Sequence, residues 1–298
     1  MAGIDINRTT SGVLSLPSEV SQEIWQNTQN ASVVQTLSRK IDLPAGGIDI
    51  PVITSDPEAE WVTETGEKPV SRPGFGSKTI RGHKMAVIVP FSNEFRRDHN
   101  ALYNAVVQKL PGVLAKKFDR TALGFEDSPG TGFDTLAGAT AVELDGTYDK
   151  WLDILETVGA ASDDADITAW ALSKGGEIDA MRTKDGDGNP LLIRDAALQG
   201  SIGSILARPT FKSAHAGDSA TNVVGVAGDW ASTAWGAVED ITLRISDQAT
   251  INDGGTQINL WQRNMFAVLA EFEVGFSVRD DKRFAKITRP AVGGPENP

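Results

Sequence analysis

Residues 54–84 constrain this chain more than any other stretch. Asp56-Pro57, Gly66, Pro69, Pro73, Gly74 and Gly76 interrupt any regular run there, and Trp61 and Phe75 are nearly its only large apolar groups. A structureless loop of about thirty residues is uncommon inside a compact domain. A projecting two-stranded hairpin fits better, with Glu60-Trp61-Val62 outgoing and Phe75 to Val89 returning. An isolated hairpin is marginal in water. This one needs a further surface to lie on, and a single subunit offers no obvious one.

The flanking segments suit a thin arm and a long helix. Ser18 caps an expected short helix to about Asn27, with Glu19 and Glu23 near its positive end and Val20, Ile24 and Trp25 on one face. Leu37, Ile41 and Leu43, a Pro44–Gly47 turn, then Ile48, Ile50 and Val52 predict strand, turn and strand, too little to build a core alone. Asn100 is the expected cap of a helix with Leu102, Val106, Leu110, Leu114 and Phe118 near one face. Pro111-Gly112 should kink or divide it, because proline removes a backbone donor. Asp127 to Gly132 is a loop signal.

From Tyr148 the elements alternate. A helix is expected over Tyr148–Val158, a buried strand over Ile167–Leu172, and a helix from the Ser173 cap to about Arg182. Asp185 to Pro190 predicts a turn leading to Leu191–Ile193. Strands are expected at Ser204–Arg208, Val223–Val226 and Asp240–Ser246, then a long pair at Gln257–Val274 and Phe276–Arg289. The order predicts an α+β fold with a layered region from about 146 to 256.

Several chemistries lack their residues. The 298-residue chain has no cysteine, which excludes disulfides, zinc–thiolate sites and thiol catalysis. Asp185-Gly-Asp-Gly-Asn189 suggests a calcium loop, but Pro190 and Ala196 stand where glycine and glutamate are required, so a turn is expected. His83, His99 and His215 lack metal spacing and are expected to be solvated or packed. No nucleophile elbow, phosphate loop or dinucleotide fingerprint is present, and no enzyme, metal or cofactor is expected. The N-terminus has no secretory pattern, and the longest apolar run, Met85–Val89, is far too short for a membrane span. A soluble protein made and used in a cytoplasm is the plain expectation.

The net charge of −12 argues against wrapping DNA with the whole surface, yet it is unevenly spread. Between Lys78 and Arg120 the balance is +6, leaving −18 for the remainder. A solvated helix face and a polyanion-facing surface explain this equally well.

Taken in order, several segments resemble the major capsid proteins of tailed phages, with the Hong Kong 97-type fold. Ile50-Pro51, Ala59 to Val62 and Glu64 resemble the family's entry into its extended loop. Lys84 to Asp98 is similar to the exit before the long spine helix, and Asp119 and Gly124 match the approach to a glycine-rich loop. The Arg182–Leu192 hairpin, Gly228-Asp229-Trp230, Gly236, Ile241 to Ile245, Phe266 to Ala270 and Arg283 to Thr288 continue the match.

The resemblance implies an arm over 1–53 and an extended loop over 54–90. It implies a peripheral domain with the spine helix over 91–147, an axial domain over 148–258, and return strands with the tail over 259–298. Arm and loop would lie on neighbouring subunits, with Trp61, Phe75, Lys68 and Lys78 as candidate contacts. The family's type member crosslinks a loop lysine to a neighbour's asparagine; Lys68 and Lys78 lie in the loop, but no asparagine or assisting glutamate is matched, so no crosslink is assigned. Lys109, Lys116 and Lys117 are the expected residues facing packaged double-stranded DNA, without base reading. Other implied partners are further copies in hexamers and pentamers, a portal, and scaffold or decoration proteins, with assembly in the host bacterial cytoplasm and no membrane. An encapsulin-type shell holding cargo protein, and a solitary α+β hydrolase, are the alternatives.

Overall fold

The computed structural model describes residues 32–55, 57–64, 67–162, 164–193 and 201–290, without the side chains of 52–55, 100 and 240. The expected Ser18–Asn27 helix lies outside the described residues, as does Ala196 of the calcium template.

The elements run α1 Val33–Leu37, β1 Arg39–Lys40, β2 Ile48–Ser55, β3 Gly74–Ile80, β4 His83–Ser92, α2 Asn93–Asp98 and α3 Asn100–Ala122. There follow β5 Thr140–Glu143, α4 Asp149–Gly159, β6 Ala169–Leu172, α5 Lys174–Arg182, β7 Leu192–Ile193, β8 Ser201–Ile205, β9 Arg208–Lys212 and β10 Val223–Gly228. The chain continues through β11 Thr233–Ser246, β12 Thr250–Asp253, β13 Thr256–Asn259, β14 Met265–Val278 and β15 Phe284–Thr288. β1-β11-β14-β4 form a four-stranded sheet and β5-β15-β10-β6-β9-β8-β7 a seven-stranded one, while β12–β13 and β2–β3 stand as separate hairpins. Helices and strands thus interleave in the α+β manner expected.

α3 packs on the four-stranded sheet. Leu110, Leu114 and Phe118 are buried at helical spacing, and Val268, Ala270, Phe272 and Val274 are buried at strand spacing opposite them. Phe118 meets Phe133, Phe276 and Trp235 with ring centroids 6.2–6.5 Å apart. Each such ring contributes roughly 1.5–3 kcal/mol through burial. β6 is buried at every position because its sheet is covered twice. Ala169 and Ala171 join the core beneath α3, whereas Trp170 and Leu172 join Trp151 and Ile154 of α4.

Several expectations shift. α3 continues through Pro111 without division, since buried Leu110 and Leu114 on either side hold it to the sheet. Asn100 is its first residue, not its cap; His99 occupies the cap position with no side-chain bond, and Ser92 caps the preceding α2, accepting from the Phe95 N–H at 3.0 Å. Leu37 closes helix α1 instead of starting a strand, because Ser32 accepts from the Gln35 N–H at 3.1 Å and starts a helical turn. The expected Ser204–Arg208 strand is a hairpin turn: Leu206 and Ala207 hold φ of 50° and 61° between β8 and β9. Such turns favour Asn and Gly, so Leu-Ala carries no turn signal. Gln257–Val274 splits into β13 and β14 at the Leu260–Asn264 turn, and β14 runs on through Gly275 to Val278. Sheet membership also crosses the expected segments. Residues 91–147 supply α3 to the first sheet and β5 to the second, and 259–298 supply β14 and β15 to different sheets.

Candidate functional site

The projecting hairpin forms, but with other strands than expected. β2 pairs antiparallel with β3, from Ile48 opposite Ile80 to Ser55 opposite Gly74. Glu60-Trp61-Val62 lies beyond the ladder in a tip without regular structure, and β4 leaves the hairpin to pair with β14. Pro57 and Pro73, which have no backbone N–H, stand just beyond the last paired residues Ser55 and Gly74 and interrupt the ladder there.

The tip and the adjoining end of β3 display their apolar groups to solvent. Trp61 is fully exposed, Val70 is 82% exposed and Phe75 74% exposed. Lys68 is exposed nearby. Lys78 behaves differently. Its ammonium bonds the Asp134 carboxylate at 3.1 Å and also the Val278 carbonyl, both in its own chain. At the hairpin's base Ile80 is buried, and Gly47 takes φ of 82° where an added Cβ would fall 2.6 Å from the Ile80 carbonyl oxygen.

Lys109, Lys116 and Lys117 are exposed on α3, turned away from its buried Leu110–Leu114–Phe118 stripe. Lys109 and Lys116, seven residues apart, share a face. Lys117 pairs with Glu126, as does Arg120 at 3.0 Å; burial pushes the Glu126 carboxyl up, but its bonds to Lys117 and Arg120 together hold it below its ordinary range.

A buried carboxylate ties the arm to the body and a buried guanidinium ties parts of the body together, and neither left a local pattern in the sequence. Asp119 on α3 accepts from the Ser32 hydroxyl and from the N–H groups of Val33 and Val34. Arg283 is 4% exposed and donates to Asp229 at 2.9 Å, to Ser162 at 2.7 Å and to Asp164. Both tie positions more than fifty residues apart, out of reach of any short-window signal.

The histidines are packed: His83 meets the Thr131 carbonyl and the Phe133 edge, His99 lies 5.4 Å from the Phe95 ring, and His215 is buried. Asp185 forms the expected turn, accepting from the Asp187 and Asn189 N–H groups and the Asn189 amide, with Gly188 at φ 84°. Among the described residues, no group of three or more acidic or histidine side chains is placed to hold a metal ion. No described helix is long and apolar enough to cross a membrane.

Comparisons agree with this architecture. The phage capsid family model matches residues 12–288. The chain is 32% identical to the "Probable major capsid protein gp17" of Mycobacterium phage L5, over 92% of this chain and 89% of the relative. The protein of the same description in Mycobacterium phage D29 is 30% identical, over 94% of this chain and 92% of the relative. Among solved structures, that of Mycobacterium phage Adephagia superposes with a TM-score of 0.75 at 22% identity, covering 97% of this chain and all of the other. That of Gordonia phage Cozz gives 0.72 at 24% identity, covering 93% and 92%. The fold is therefore the Hong Kong 97-type capsid fold, and the chain belongs to the phage capsid family.

Proposed function

We infer that this chain is the major capsid protein of a tailed bacteriophage, a structural protein whose copies assemble into the head shell that encloses double-stranded DNA. The observation that carries this, beside the family match, is the hairpin tip. Trp61, Val70 and Phe75 are presented to solvent on an element that cannot bury them on its own subunit. Exposed apolar groups clustered on a projecting element mark an interaction surface. Trp61, Phe75 and Lys68 are the proposed contacts with a neighbouring copy, with Lys78 at their base. Many modest contacts repeated over a closed shell give stability through multivalency.

In this reading 1–53 and 54–90 reach neighbours, 148–258 meets its copies around five- and six-fold positions, and 91–147 with 259–298 form the periphery. Lys109, Lys116 and Lys117 face the packaged genome and contact phosphates without reading sequence. The protein has no catalytic role; portal and scaffold or decoration proteins are its further partners, and assembly takes place in the host cytoplasm. Relatives described as phage capsid proteins favour this over an encapsulin-type shell or a hydrolase.

Electron microscopy of the purified protein tests it. Genome-sized shells are expected; small uniform shells filled with protein would favour the encapsulin alternative. A monomer persisting at high concentration would overturn both, since assembly follows mass action.

A further inference from the structure

We infer that Lys78 and Asp134 are positioning residues that set the angle at which the hairpin leaves the body, so that the tip is aimed before any neighbour is met. This rests on the reading of the hairpin as a contact between copies and names how that contact is oriented.

A hairpin joined to its body by two chain crossings can swing about the line between them. Here the crossings fall at Gly47–Ile48 and Ile80–Arg81. A third attachment off that line removes the swing, and Lys78, on β3 above the crossing, supplies it. Its ammonium reaches both Asp134 and the Val278 carbonyl. The acceptor is already in place: the Asp134 carboxylate receives the Ser277 hydroxyl at 2.9 Å and the Val278 N–H at 3.1 Å, and the Asp134 N–H donates to the Phe276 carbonyl at 2.9 Å. Asp134 is thus fixed to the end of β14 whether or not Lys78 is bound.

The same short loop grips the chain just after the hairpin. The Arg81 N–H donates to the Gly132 carbonyl at 2.8 Å, and the His83 ring nitrogen lies 3.2 Å from the Thr131 carbonyl. Gly132 takes φ of 84°, and an added Cβ there would sit 2.9 Å from the Arg81 side chain. Residues 131–134 therefore touch positions 78, 81 and 83 in turn. The grip at 81 and 83 lies at the crossing and leaves the swing free; the bond at 78 removes it. Lys78 and Asp134 side chains are 37% and 34% exposed. An ion pair this exposed is weak and salt-sensitive, so it is released without unfolding the subunit. That suits a part that must yield when a neighbour docks.

The cysteine-free chain permits a direct test. Val70→Cys on the tip and Glu143→Cys on β5 carry a nitroxide pair, and pulsed electron paramagnetic resonance reads their separation in the full-length subunit. The parent is expected to give one narrow distance distribution. Lys78→Met, which keeps the aliphatic stem and leaves the Asp134 bonds to β14 untouched, is expected to widen it about twofold through local freedom. Lys78→Arg is expected to restore the narrow form, and high salt to widen the parent but not Lys78→Met. A Lys78→Met distribution as narrow as the parent's overturns the inference. Should that variant fail to fold, Asp134→Asn, which keeps an acceptor for Ser277 and Val278, carries the same readout. Failure of the neighbour-contact reading is seen separately, as shells of Trp61→Ala that form and persist like the parent's.

Discussion

The Asp119 carboxylate on α3 accepts the Val33 N–H at 3.1 Å and so caps α1 from eighty-six residues away. A short helix leaves its first N–H groups unpaired. Here Ser32 serves the Gln35 N–H, while Asp119 serves Val33 and Val34, and takes the Ser32 hydroxyl as well. The arm is therefore joined to the spine by a fully buried charge.

Removing that carboxylate strands several buried donors at once. Asp119→Ala is expected to destabilise the subunit by about 3 kcal/mol, the range for unpaired buried polar groups. Asp119→Asn, which keeps one acceptor, is expected to lose less. Urea denaturation of unassembled subunits measures both.

Trp61→Ala is expected to leave subunit stability within about 0.5 kcal/mol, as for other surface changes, because the side chain is fully exposed. Shell formation, followed by light scattering, is expected to slow or stop. Unchanged assembly and unchanged shell stability would remove Trp61 from the contact.

Two buried tryptophans should respond differently to loss of their N–H. Trp230 donates to the Ala169 carbonyl at 3.0 Å, whereas the buried Trp151 Nε1 has no hydrogen-bond partner. Both changes to Phe remove similar volume. Trp230→Phe is expected to destabilise by about 1 kcal/mol more than Trp151→Phe, the net worth of one hydrogen bond. Equal losses in denaturation would contradict this.

Asp164 gives a pH dependence of known sign. The Ser162 hydroxyl, then Arg283 and Arg279, hold its carboxyl down at about 2, below its ordinary 3.8. A depressed carboxyl contributes stability in full above the unfolded value and loses it as pH falls through the folded one. Part of the acid-induced fall in melting temperature between about 3.8 and about 2 therefore belongs to Asp164. Asp164→Asn is expected to flatten that part, and parallel curves for the two proteins would exclude it.

What was legible beforehand depended on the range of the signal. Ser173 caps α5 as its local sequence predicts, accepting from the Gly176 N–H at 3.3 Å, and the unbroken apolar run of β6 marked a doubly covered strand. The leucine stripe of α3 located the spine although Pro111 argued for a break. The β8–β9 turn was not legible, because Leu206 and Ala207 adopt left-handed backbone with no residue that favours it. The loop signals mark the hairpin but neither of its strands in full: β2 reads as part of the arm and 83–89 as part of the return, and only the β2–β3 and β4–β14 pairings show otherwise.

Composition and short spacing were enough for the proline-broken loop, the absence of cysteine, the basic stretch within an acidic chain and the long helix. Tertiary structure alone decided which charges meet. Lys78 faces Asp134 and Arg283 faces Asp229 because the folded chain brings distant positions within 3.1 Å. A side chain's type shows that it can form an ion pair; only the folded chain, by burying some charges and leaving others in solvent, selects its partner.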